Sequence, residues 1–73
     1  MRRLNPKKLL LSKWTAVNPI NKELHFIVRC VVKPENETLP VEQFELEAIH
    51  SGRAQIIHWR ELLNEEKWLQ GWK

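Results

Sequence analysis

Ile56-Ile57-His58-Trp59-Arg60-Glu61-Leu62-Leu63-Asn64-Glu65-Glu66-Lys67-Trp68-Leu69-Gln70-Gly71-Trp72-Lys73 is the segment against which the rest of the chain must pack. It holds three of the four tryptophans. It opens with strand character, because Ile56 and Ile57 are β-branched. From Trp59 the spacing changes. Trp59, Leu62 and Leu63 stand three and four residues apart, which is one face of a helix. Asn64 is a cap candidate, and Glu65 and Glu66 then fall in a first turn, where the helix dipole favours acids. Trp68 and Trp72 are four apart, and Gly71 is a natural terminator. The stretch therefore reads as the end of a strand followed by a helical segment that lays indole rings on the preceding sheet.

Upstream, Ser51-Gly52 is a candidate two-residue hairpin turn between strands over Val41–Ile49 and Arg53–Trp59. Phe44, Leu46 and Ala48 alternate on one face of the first strand, with Glu45 and Glu47 on the other. A two-residue turn pairs His50 with Arg53, Leu46 with Ile57 and Phe44 with Trp59. It also sets Glu45 opposite His58; if Arg29 lies across from Glu45 in the preceding hairpin, the three form a polar row on the outer face. A one-residue slip would scatter the apolar side chains. His25–Lys33 is the clearest strand: Phe26, Val28, Cys30 and Val32 alternate on its apolar face. The polar loop Pro34–Pro40 follows it. Asn18-Pro19-Ile20-Asn21-Lys22 has turn chemistry, and Lys13–Val17 before it reads as another strand, with Trp14 and Ala16 on one face. Asn5-Pro6 is a helix-start signal, so Pro6–Leu11 is expected to form one or two turns pinned by Leu9 or Leu10.

The resulting expectation is an α+β fold over a single small domain, residues 1–73. Its sheet is a four-stranded twisted antiparallel meander, able to curl into a half-barrel. A short N-terminal helix and a C-terminal helical segment cover the apolar face. A chain of 73 residues has a modest core. Buried tryptophans compensate, each worth roughly 4–6 kcal/mol as an upper bound from area alone.

The pieces Asn5-Pro6-Lys7-Lys8-Leu9-Leu10, Ser12-Lys13-Trp14-Thr15-Ala16-Val17, His25-Phe26, Leu46-Glu47-Ala48, Trp59-Arg60-Glu61-Leu62, Trp68 and Gly71-Trp72-Lys73 run through nearly the whole chain. In this combination the chain resembles a family of small tryptophan-rich bacterial proteins of uncharacterised function. It departs from the pattern at Ile57-His58, where an acidic residue is expected beside Trp59. The resemblance implies a small bacterial cytoplasmic protein and brings no activity, cofactor or site residue with it.

The chemistry-bearing residues are few. Cys30 is the lone thiol and its alternation places it in the core, where a thiol is inert. One cysteine cannot form an internal disulfide, which points to the cytoplasm. His25, His50 and His58 have no ligand spacing. Glu45 and Glu47 share a strand face that reads as solvated. Two glycines cannot build a phosphate-cradling loop. The apolar runs are too short for a membrane span. No catalytic, cofactor or metal residues are assigned, no small-molecule substrate is inferred, and a non-enzymatic role is expected.

What remains is recognition. Trp68, Leu69 and Trp72 are the candidate anchors for a protein partner or a second copy. Either Lys13–Val17 or Arg53–Trp59 is a candidate free edge that accepts a strand. The formal charge is +3, and Arg2, Arg3, Lys7, Lys8 and Lys13 crowd the first thirteen residues with no acid among them. That basic arm is the candidate contact for single-stranded nucleic acid, the alternative function. The apolar side chains are expected to gather on one face of the sheet and to leave no pocket where chemistry could happen.

Overall fold

A computed structural model describes residues 3–73. Five strands form one antiparallel sheet: β1 (Lys13–Ile20), β2 (Glu23–Val32), β3 (Gln43–Ala48), β4 (Ala54–His58) and β5 (Trp68–Gln70). Their spatial order is β4-β3-β2-β1-β5. Among the described residues the only helical pieces are two 3-10 turns, Pro6–Lys8 and Trp59–Leu63. The expected α+β fold is thus overturned: the sheet has five strands, and no α-helix covers it.

The difference lies in the C-terminal stretch. Trp59–Leu63 does wind up, but only for five residues, before Asn64 leaves the helix in an extended conformation. So short a helix has too few internal hydrogen bonds to repay its nucleation. Asn64 acts as a turn former. Its Oδ1 accepts from Glu66 N–H at 3.0 Å and its carbonyl accepts from Trp68 N–H at 3.0 Å. The chain then runs extended along β1, pairing Ala16 with Trp68 and Trp14 with Gln70. Without β5 the outer edge of β1 would leave a row of donors and acceptors unpaired; Val17 N–H to Lys67 C=O and Gly71 N–H to Lys13 C=O satisfy them. Because β5 is extended, Trp68 and Leu69 point to opposite faces. Gly71, at φ +81°, turns the chain so that Trp72 crosses to the outer face.

The hairpin between β3 and β4 also departs from expectation. Ala48 bonds to Arg53 and Gly52 N–H returns to the Ala48 carbonyl at 2.8 Å, so the connection is the four residues 49–52. Phe44 pairs with Ile57, and Leu46 with Gln55. The register differs by two residues from the one a Ser51-Gly52 turn predicts. An even shift preserves the faces, so Phe44, Leu46 and Ile57 still point inward.

In β2 the pairing passes from Val28–Leu46 to Cys30–Glu45, leaving one extra residue on β2. This bulge reverses the alternation. Cys30, expected in the core, is exposed, and Val31 pairs with Phe44 instead. The two shifts also dissolve the predicted polar row. Arg29 pairs with Glu47 at 2.8 Å and His58 lies 3.4 Å from Glu42.

The core is Leu9, Trp14, Phe26, Val28, Phe44, Leu46, Ala48, Ile57 and Leu62, with Trp59 and Trp68 packed against it. Trp14 is the largest fully buried side chain. At the N-terminus Asn5 caps the first 3-10 turn, its Oδ1 accepting from Lys7 N–H at 3.0 Å. Leu9 is the pin, whereas Leu10 is exposed. The β1–β2 connection is a two-residue turn, Asn21 and Lys22, both at positive φ, which suits the twist of a hairpin.

Candidate functional site

The sheet twists so that its two edge strands line common clefts. The first cleft, of about 410 Å³, has Phe26 and Trp68 among its lining residues, with Ala16, Asn18, Arg53 and Lys67 around them. Ile20, Glu23 and, from β4, Gln55 complete it. A second, of about 530 Å³, is lined by His58, Arg60, Glu61, Asn64, Lys67 and Trp68. Lys67 and Trp68 belong to both. Volumes of this order suit a small ligand or a few side chains.

Trp68 meets Phe26 edge-on, ring centroids 5.1 Å apart at 88°. This is the favoured aromatic geometry and fixes the apolar wall. Glu23 is the one charged side chain in the cleft that is buried, at 4% exposure. Its carboxylate accepts from Ser51 Oγ at 2.6 Å and from Arg53 Nε at 3.2 Å, with a further Arg53 contact through Nη2. The Ser51 hydrogen bond and then those of Arg53 hold its carboxyl below the usual value, against the opposing effect of burial. An ionised, fully occupied carboxylate is a poor proton donor at neutral pH. Its role here is to hold Arg53 at the cleft's rim. Among the described residues no group of three or more His, Cys, Asp or Glu is gathered to hold a metal ion, and no helix is long and apolar enough to cross a membrane.

The predicted anchor residues are separated rather than brought together. Trp68 lies inward and half-buried in the clefts. Leu69 is 38% exposed on the other face. Trp72 lies across the outer face, its Nε1 donating to the Phe26 carbonyl at 3.0 Å. The His25 ring is 5.7 Å from it and Lys13 Nζ is 4.7 Å from its centre. Thr15 fastens the chain beside it: its hydroxyl donates to Gly71 C=O at 2.7 Å and accepts from Lys73 N–H at 3.0 Å. Trp72 is thus part of a latch.

The basic arm is likewise dispersed. Arg3, Lys7, Lys8 and Lys13 are exposed, and Arg2 lies outside the described residues. Lys13 is taken up by Trp72, while Lys7 lines a separate groove with Leu10 and Val31. Of the two candidate edges, Lys13–Val17 is paired on both sides, by β2 and β5. The other, now β4, is the end strand of the sheet and pairs with β3 alone. Bonds close the β3–β4 ladder at Ala48–Arg53 and Glu42–Trp59. Since bonded pairs alternate along an antiparallel ladder, Ala54 and Ile56 direct their N–H and C=O groups away from β3.

Sequence reasoning missed the cleft because Glu23, the close pair Arg53 and Gln55, and Lys67 come from three separate parts of the chain. Their one shared signal is charge or polarity at positions that strand alternation alone would leave at a sheet's end.

The family model described as tryptophan-rich protein (DUF2389) matches residues 12–73. The chain belongs to this family, whose function is unknown. No curated protein and no solved structure matches it.

Proposed function

We propose that this member of the tryptophan-rich family is a non-enzymatic protein-interaction module that receives an extended segment of a partner at the free edge of β4. The supporting observation is the edge itself. Ala54-Gln55-Ile56-Ile57-His58 contains no proline, lysine or acid, the features that normally blunt an edge strand. Ile56 is 53% exposed on it. Backbone pairing supplies affinity, and the clefts beside the strand supply selectivity. The exposed lone thiol of Cys30 favours a reducing compartment, in keeping with a cytoplasmic protein of a bacterial cell.

Ile56→Pro tests this. It deletes a donor that points away from β3, so the ladder keeps its bonds. Native bacterial lysate is passed over tagged wild type and variant, with and without nuclease and at two salt concentrations. Proteins retained by wild type, lost with Ile56→Pro and indifferent to nuclease support the edge reading. Retention that vanishes with nuclease and falls steeply with salt would replace it with single-stranded nucleic-acid binding by Arg3, Lys7 and Lys8. Equal retention by both proteins, independent of nuclease, would remove the edge from consideration.

A further inference from the structure

We infer that the seam between β4 and β5 is a slot for one acidic, extended segment of a partner protein, with an inward apolar side chain seated against Phe26 and Trp68. This rests on the edge reading above and specifies its occupant. The two clefts adjoin through shared walls. Trp68 and Lys67 bound each of them, and β4 contributes Arg53's neighbour Gln55 to one and His58 to the other. At ~3.3 Å per residue, the five residues of β4 span roughly 16 Å, so five or six partner residues match the seam.

Charge selects the occupant. Arg53, Arg60 and Lys67 line the seam, opposed by Glu23 and Glu61. Glu23 is already bonded to Ser51 and Arg53. Glu23 and Arg53 therefore answer each other, which leaves Arg60 and Lys67 against Glu61, and carboxylates are attracted while basic segments are repelled. A nucleic acid is also anionic, but it lacks a peptide's in-line N–H donors for the free carbonyls of Ala54 and Ile56. It also needs open aromatic faces on which to stack. Trp68 is half-buried against Phe26, and Trp72 is bracketed by Lys13 and His25.

The full chain is panned against a displayed library of random octapeptides at about 150 mM salt, where distant surface charges are screened. Enriched peptides are expected to alternate apolar and other residues, to carry acids and to lack central proline. The strongest is labelled with fluorescein and its binding read by polarisation. Lys67→Glu reverses a cation, and Gln55→Trp fills the first cleft; both sites are exposed. Each substitution is expected to weaken binding by about tenfold or more. In parallel, alternate N-methylation of the peptide and exchange protection of the Ala54 and Ile56 amides read strand addition itself. If N-methylation is harmless and those amides stay unprotected, the edge reading fails. If they become protected but both variants bind within about twofold of wild type, the slot fails and the edge reading survives. Failure to enrich any peptide, or enrichment of basic or proline-rich ones, overturns the slot. Displacement of the peptide by a single-stranded oligouridine at the same salt does so in favour of a nucleic acid.

Discussion

Replacing Trp72 with alanine removes the latch on the outer face, and the cost follows from its surroundings. The residue is 43% exposed, so a little over half of its surface is covered. For a Trp side chain of ~250 Å² that is ~140 Å² withdrawn from water, or ~3.5 kcal/mol at ~25 cal/mol/Å². A partly collapsed unfolded chain trims this to ~2–3 kcal/mol. Ordering the side chain costs ~0.5–1 kcal/mol. The Nε1–H bond to the Phe26 carbonyl returns ~1 kcal/mol. The net loss for Trp72→Ala is therefore ~2–3 kcal/mol, a fall in Tm of roughly 10–20 °C for a domain of this size. Trp72→Phe keeps most of the area but no donor, and is expected to lose ~1 kcal/mol. Thermal melts followed by circular dichroism, with urea titrations for the free energies, measure both. If Trp72→Ala melts within about 3 °C of the parent, less than ~1 kcal/mol is at stake and the ring is not docked as described.

Three further outcomes are expected. Lys22 sits at φ 63° beside Asn21 at φ 55°, so Lys22→Gly relieves left-handed strain and is expected to stabilise by ~0.5–1 kcal/mol; a lowered urea midpoint would refute the turn. Glu23 has a carboxyl held below its ordinary value, so its contribution is present above the unfolded pKa of ~4.3 and is lost as pH falls through the lower folded value. Glu23→Gln is accordingly expected to flatten the acid limb of the stability curve below about pH 5, and parallel limbs for the two proteins would contradict this. Cys30 is expected to react with an aromatic disulfide in the native protein at a rate within about tenfold of the unfolded chain; strong native protection would place it back in the core and remove the bulge.

Much of the architecture was legible residue by residue. Alternation identified the segments that became β2, β3 and β4, and the inward set Phe44, Leu46 and Ala48. Asn5-Pro6 marked the first 3-10 turn, and Trp14 was correctly taken as core. The register of β3 and β4 was out by two, yet harmless, because side-chain direction repeats every two residues. The bulge near Arg29 was not legible: no glycine or proline marks it, and a single inserted residue reverses every later side chain. That is how Cys30 and Val31 exchanged faces. The cleft was illegible for a related reason, since Glu23, Ser51 and Arg53 meet only once β2 and the β3–β4 connection are side by side.

The last eighteen residues divide the two kinds of knowledge most clearly. Composition and local pattern alone determined that this is a small, tryptophan-rich antiparallel protein with one strongly alternating apolar face, because burial of that face depends on period and hydrophobicity within each segment. Whether Trp68-Leu69-Gln70 would be helix or strand was decided by the tertiary structure. A three-residue segment has almost no preference of its own, while the edge of β1 offers it a complete set of backbone partners. That edge exists only after the rest of the sheet has assembled, and it sends Trp68 inward, Trp72 outward and leaves β4 as the open margin.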